Sequence, residues 1–260
     1  MRRDRYRLIE SPQNPGFKLW DSLLDRRGLR RHGRFLLAGR KTVPEALERH
    51  PDRFGTVLAA DPDQLDALPL PPGIEALLLA PALFERLDVT GTGFPLLVGS
   101  VPAMPAIDLS VPPVGLELVC ALGDPANLGA LMRSAAAFGV RTLILLEEAA
   151  HPFHPKCLRA AANAQFELAL RTGPGWRGLT GIAGPVFGLD GGGRDLTDFD
   201  WPADVRLVLG EEGQGLPPDL PVERLAVPTT GAVESLNAMV AASIALYSHH
   251  ASRGRRPVGD

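Results

Sequence analysis

Apolar positions along the chain fall into short blocks. Their spacing switches between two and three-to-four residues, with turn formers at the switches. Phe17 to Arg31 has the spacing of an amphipathic helix, and Arg34 to Ala38 is a short apolar strand. Thr42 to His50 returns to helical spacing, with Thr42 placed to cap it and Glu45 three residues on. A strand is predicted at Thr56–Ala60, a helix at Asp63–Leu68, a strand at Ile74–Leu79, a helix at Pro81–Leu87 and a strand at Phe94–Val98. Such alternation predicts a small α/β sandwich with a largely parallel sheet.

Residues 102–113 read PAMPAIDLSVPP, and four prolines in that span sustain neither a helix nor an inner strand. The stretch reads as a linker between a domain at 1–101 and a second at 114–260. Alternation resumes beyond it. Leu116–Leu122 carries almost no polar residue, as a strand covered on both faces does. Leu128–Phe138 is a helix ended by Gly139, and Thr142–Leu146 is a strand. Pro155–Gln165 is helical, Val186–Leu189, Arg206–Leu209 and Arg224–Val227 are strands, and Ser235–Ser248 is a long helix. The sequence is thus α/β in both parts.

Composition adds three limits. The chain has 260 residues, 45% of them hydrophobic, which is enough for buried cores. No apolar run reaches membrane-spanning length, and the Arg-rich N-terminus lacks the apolar core of a signal peptide. Two cysteines, Cys120 and Cys157, make no disulfide framework, so a cytoplasmic setting is the expectation. Charge is uneven: residues 1–50 hold 13 Lys/Arg against 6 Asp/Glu, while the rest is acidic, for a net charge of −3. A basic N-terminal part on an acidic body suits a polyanion such as nucleic acid, or is only a solvated face.

Three segments carry candidate chemistry. Asp124-Pro-Ala-Asn127-Leu-Gly129 opens a helix at the end of a buried strand, where unpaired N–H groups receive ligands in open α/β sheets. Asn127 is a candidate cap there, and Arg133, six residues on, offers a fork that suits phosphate. Leu209-Gly210-Glu211-Glu212-Gly213-Gln214-Gly215 runs from a strand into three glycines, which let a ligand approach the backbone. By itself such a run is weak evidence, and Gly191–Gly193 is taken as a plain loop of the same kind. Val227-Pro-Thr-Thr-Gly231 leads to Ser235-Leu236-Asn237 and a helix bearing Ala238, Ala241, Ala242 and Ala245 on one face. Ser235 or a neighbour is the candidate cap. His151 and His154 lack a third ligand and read as loop residues, with no metal required.

The segments DPANLGALMRSAAAFGV, LVLGEEGQGLP and VPTTGAVESLNAMVAASIALY, in this order, resemble the SpoU-type (TrmH-type) RNA methyltransferases. HPKCLRAAANAQFEL resembles that family's connecting segment, and SPQNPGFKLWDSLLDRRGLRRHGRFLLAGRKTVPEAL is similar to an L30e-like RNA substrate-binding domain. The resemblance implies a C-terminal trefoil-knotted parallel-sheet domain behind a smaller N-terminal α/β sandwich. It also implies methyl transfer from S-adenosylmethionine to a ribose 2′-hydroxyl of ribosomal or transfer RNA, within a homodimer and without metal. A base methyltransferase and an RNA-binding protein with weakened catalysis are the alternatives. The resemblance assigns Leu209, Gly210, Gly215, Val227 and Leu236 to the donor. It gives Arg133 the activation of the hydroxyl or a clamp on phosphate, Ser235 and Asn237 the positioning of ribose or donor, and Asn127 and Glu212 the holding of the motif loops. Asn127 and Arg133 are implied to reach the donor bound by the partner subunit. Ala38, Ala161, Asn163, Glu211 and Thr229 depart from the family pattern.

Overall fold

The computed structural model describes residues 5–211, 213, 215–233 and 235–254. In chain order the elements begin with β1 (Arg7–Ile9), α1 (Pro15–Ser22), α2 (Arg26–His32), β2 (Arg34–Leu37), α3 (Thr42–Arg49), β3 (Phe54–Ala59), α4 (Pro62–Ala67), β4 (Glu75–Leu79), α5 (Pro81–Leu87) and β5 (Leu96–Ser100). They continue with β6 (Leu116–Cys120), α6 (Pro125–Ala137), β7 (Thr142–Leu145), α7 (Pro155–Ala161), β8 (Ala169–Thr172), β9 (Val186–Asp195), β10 (Val205–Leu209), β11 (Glu223–Ala226) and α8 (Ala238–Gly254). The described chain divides into two compact units, residues 5–103 with 151–163 and residues 104–150 with 164–254.

The first unit is built on a sheet of order β1-β4-β3-β5-β2. Strands β1, β4 and β3 are parallel, but β5 runs antiparallel to both β3 and β2. Four of the five strands therefore run one way, as expected, and β5 alone reverses, so that two of the four pairings are antiparallel. Asp88 helps to hold the reversal, its carboxylate accepting the Gly93 N–H at 2.7 Å and the Thr90 hydroxyl at 3.0 Å. The single helix expected over 17–31 is two. Asp25 starts a new one by accepting the Gly28 N–H at 2.8 Å, and a Cβ on Gly28 would lie 1.7 Å from the Ser22 carbonyl oxygen. Thr42 does not cap α3; its hydroxyl donates back to Ala38 O at 2.7 Å.

Helix α7, expected to run to Gln165, stops at Ala161 because Ala162 and Asn163 take positive φ. It belongs to the first unit, packing on β2, and Phe153 stacks on Phe35 with centroids 4.8 Å apart. Asn163 Nδ2 donates to Thr42 O at 3.0 Å and to Glu45 Oε2 at 3.3 Å.

The second unit carries a six-stranded sheet, β11-β9-β10-β6-β7-β8, parallel at every pairing. The glycines 191–193, taken as a loop, lie within β9, where the register with β11 shifts. A Cβ on Gly193 would stand 2.5 Å from the Arg224 carbonyl carbon, so the bulged strand passes against its neighbour's backbone.

The proline-rich stretch is docked on this unit. Ile107 N–H donates to Thr172 O at 2.9 Å, and Ala183 N–H to Leu109 O at 2.9 Å. Arg206, 1% exposed, fastens the stretch further. Its guanidinium donates to Glu117 at 2.7 Å, to Leu109 O and Ala183 O at 3.1 Å, and to Val111 O at 2.7 Å.

Candidate functional site

Because the second sheet is parallel, the C-terminal ends of its strands share one edge. From β6 the chain steps outward to β7 and β8. It then returns to the far side of β6, laying down β9 and inserting β10 between β9 and β6. Leu209, the last residue of β10, stands opposite Cys120, the last of β6. The connections therefore part in opposite directions here, opening the crevice in which open α/β sheets bind ligands. The first and second motifs leave from these two strand ends, and the third leaves from β11 on the same edge.

At the first motif the cap of α6 is Asp124, which accepts the Asn127 N–H at 2.8 Å; Asn127 itself is the third helical residue. Its side chain is half-buried. Arg133 is exposed and pairs with no carboxylate among the described residues. At 100° per residue the two side chains leave the helix about 120° apart, so α6 does not present them on one face. Helix α6 packs on α8, where Phe138 meets the Tyr247 ring edge-on with centroids 5.8 Å apart. The Ser243 hydroxyl donates to Met239 O at 2.9 Å and accepts from Ser134 at 2.8 Å.

The second motif closes on itself. Glu211 N–H donates to Gly215 O at 3.1 Å, and Gly215 N–H to Glu211 O at 3.0 Å. Gly210 permits this, since a Cβ there would lie 2.2 Å from the Gly215 carbonyl carbon. Glu212 lies outside the described residues. In the third motif Val227 and Leu236 are half-buried, while Thr229 and Ser235 are exposed. Asn237, not Ser235, caps α8, its Oδ1 accepting the N–H of Met239 at 3.0 Å and of Val240 at 3.3 Å.

Leu209, Gly210 and Gly215 therefore meet at the end of β10, and Val227 follows β11 on the same edge. Backbone polar groups beside half-buried aliphatic side chains fit a donor with a flat heterocycle and a polar amino-acid tail. A cleft of about 490 Å³ in the same unit, between residues 106–110 and 172–181, contains none of these residues.

One neighbour of the motif loops escaped the sequence reading. Trp176 Nε1 donates to Glu211 Oε1 at 3.0 Å, and Trp176 N–H donates to Glu148 Oε1 at 3.1 Å. The only hint in the sequence is a tryptophan amid the turn residues Gly173-Pro174-Gly175.

The family model described as the SpoU rRNA Methylase family matches residues 117–247. The chain is 31% identical to the 23S rRNA (guanosine(2553)-2′-O)-methyltransferase RlmP of Bacillus subtilis, over 92% of this chain and 97% of that one. It belongs to the SpoU rRNA methylase family. It is also 41% identical to the ribosomal RNA small subunit methyltransferase G 2 of Syntrophobacter fumaroxidans, over 95% of this chain but 50% of that relative. The chain spans half of that protein, whose name describes a polypeptide twice as long. Among solved structures it superposes on the SpoU methyltransferase AviRb of Streptomyces viridochromogenes in complex with AdoMet. The TM-score is 0.77 at 26% identity, covering 94% of this chain and 100% of that one. The fold class is that of the trefoil-knotted SpoU/TrmH methyltransferases, with a smaller α/β unit ahead of it.

Proposed function

We propose that this chain transfers the methyl group of S-adenosylmethionine to a ribose 2′-hydroxyl of ribosomal RNA. The observation that carries the reading is the arrangement of the three motifs on one sheet edge, two of them at the switch point between β6 and β10. The relative RlmP is named for this reaction on 23S rRNA, and AviRb is described with AdoMet bound.

The donor supplies an electrophilic methyl group on a sulfonium, so the protein's tasks are to hold, align and deprotonate. Leu209, Gly210 and Gly215 hold the donor through backbone groups, and Val227 and Leu236 give its adenine an aliphatic bed. Ser235 and Asn237 position the ribose or the donor, and Asn237 also caps α8. Arg133 clamps the phosphate next to the target ribose and aligns the hydroxyl. A guanidinium is a poor base, so the hydroxyl proton passes to the substrate phosphate or to water.

A second copy of the chain completes the site. Val240, Ile244 and Tyr247 form an exposed apolar stripe on α8, at helical spacing, beside the helix that carries Arg133 and Asn127. The dimer covers this stripe and brings the exposed Arg133 to the partner's donor, while the half-buried Asn127, on another face of α6, holds the motif loops. RNA also meets the first unit at α2, whose Arg27, Arg30 and Arg31 are exposed and pair with no carboxylate among the described residues. Among the described residues no helix is long and apolar enough to cross a membrane; we place the enzyme in the cytoplasm with its RNA.

The test is transfer of labelled methyl from the donor to ribosomal RNA, followed by alkaline hydrolysis. A resistant dinucleotide carrying the label is the expected product. Label on a base would replace this reading with base methylation, and donor binding without transfer to any RNA would leave an RNA-binding protein.

A further inference from the structure

The proposed donor loop is tethered to the core of its own unit by one indole. Trp176 sits in a short 3-10 turn, Trp176–Gly178, and packs against the cluster that includes Leu109, Ile144, Leu146, Leu179 and Leu216. Both of its N–H groups end on carboxylates, the backbone one on Glu148 and the indole one on Glu211. The turn approaches the first of these closely: a Cβ on Gly175 would lie 2.9 Å from Glu148 Oε1 and 3.1 Å from Glu147 Oε2. Thus the indole's position is set by the core on one side and by the loop after β7 on the other.

Glu211 is the residue through which this matters. Its backbone N–H and C=O make the two bonds that close the loop onto Gly215, and its neighbour Gly210 packs directly on the Gly215 backbone. Turning Glu211 moves Gly210 and Gly215 together. Its carboxylate, left to solvent, would sample many rotamers; accepted onto Trp176, it is limited to one.

We propose that Trp176 is a positioning residue for methyl-donor binding, acting through Glu211 to hold Gly210 and Gly215 in their binding arrangement. The proposal rests on the donor reading given above. It goes beyond that reading by assigning a positioning role to two residues to which that reading gave none. It also gives a reason for the glutamate at 211, one of this chain's departures from the family pattern.

The test uses the full chain, with donor affinity measured by calorimetry and hydrogen exchange followed at the Glu211 and Gly215 amides. W176F keeps the ring and removes the indole donor; its affinity falls about tenfold, equivalent to about 1.4 kcal/mol. Exchange at the two amides rises while amides of β6 and β10 stay protected. E211A gives the same loss, and W176F/E211A is no weaker than either single variant, because both remove one interaction. E211Q retains an acceptor oxygen and loses less than E211A. Unchanged affinity in W176F, or losses that add in the double variant, would overturn the proposal. A wild-type chain that binds no donor refutes the parent reading and this inference with it. Faster exchange in W176F without loss of affinity refutes the inference alone. Should W176F melt globally, the E211A and E211Q pair decides alone, and equal losses there count against the indole bond.

Discussion

Arg206 offers a test of what holds the second unit together. Arg206→Met keeps an unbranched side chain of similar length and removes the guanidinium. Three things follow inside a site that is 1% exposed. The Glu117 carboxylate loses its charged partner at 2.7 Å and keeps the Val114 N–H at 3.4 Å, and the carbonyls of Ala183 and Val111 lose their donors. Leu109 O is less affected, because it also accepts the Ala183 N–H at 2.9 Å. Stranding one member of a buried ion pair costs about 3–5 kcal/mol. A buried carbonyl left bare costs roughly 1–3 kcal/mol, less where water reaches it, as at the edges of the 109–111 stretch. The expected loss is therefore on the order of 5 kcal/mol, comparable with the whole stability of an ordinary domain. The assay is urea unfolding of the full chain by tryptophan fluorescence. Trp176 and Trp201 report on the second unit and Trp20 on the first, so two transitions are to be fitted separately. Adding Glu117→Leu should recover part of the loss, since a matched apolar pair is tolerated where a lone buried charge is not. A single variant within about 1 kcal/mol of wild type, or a double variant less stable than the single one, would refute the reasoning.

Arg133→Ala should lower single-turnover methyl transfer by about a hundredfold or more at saturating RNA and donor, with donor affinity unchanged; Arg133→Lys, which keeps charge but not the fork, should recover little. Replacing Arg27, Arg30 and Arg31 together by Ala should weaken RNA binding and flatten its salt dependence, by about 0.7 in slope for each phosphate of single-stranded RNA that is no longer neutralised; an unchanged slope would make α2 a solvated face. His151 is held down to about 4 from 6.5 by burial, with Arg30, Arg26 and His154 adding to the effect, and its Nδ1 accepts the Phe153 N–H at 3.2 Å. The unfolded chain takes up that proton first, so the first unit should lose up to about 3 kcal/mol as pH falls from 6.5 toward 4, and His151→Phe should remove most of that slope in pH-dependent melts. Gly210→Ala should abolish donor binding, because its Cβ meets the Gly215 backbone at 2.2 Å; calorimetry on a variant that still folds is the check.

Where apolar spacing was strong, the sequence was legible, and where the fold turned on relations between distant residues it was not. The buried strands β6, β7 and β10 and the helices α3, α5 and α6 were found to within a few residues. The two strands missed, β1 and β8, have three and four residues and lie at sheet edges, where one-sided burial leaves little pattern. Strand direction has no signature in spacing, which is why β5 was not recognised as antiparallel. The break at Asp25 was visible only as a capping residue inside an otherwise continuous apolar stripe. At the site, glycine placement and helix-opening residues picked out loops that the fold gathers on one sheet edge, and family resemblance supplied the proposed roles. Asp124 took the cap anticipated for Asn127 because α6 starts at Pro125, three residues before the expected Leu128, and Asn237, close to Ser235, caps α8. Trp176 and Glu211 are 35 residues apart, and Arg206 and Glu117 are 89. No local rule joins such pairs.

The passage of residues 151–163 into the first unit sets a schedule for the protein's birth. Helix α7 covers β2, and Phe153 and Asn163 complete the surroundings of Phe35 and Thr42. On a ribosome, which releases the chain from its N-terminus, the first unit stays open along that flank until residue 163 has emerged. By then β6, α6 and β7 have already left the exit tunnel, and the second sheet still waits for β8 to β11. Neither unit can finish before the other has begun, so a nascent chain holds two half-built cores at once. Cutting the gene at the proline-rich stretch would make that condition permanent for the first unit, leaving β2 bare.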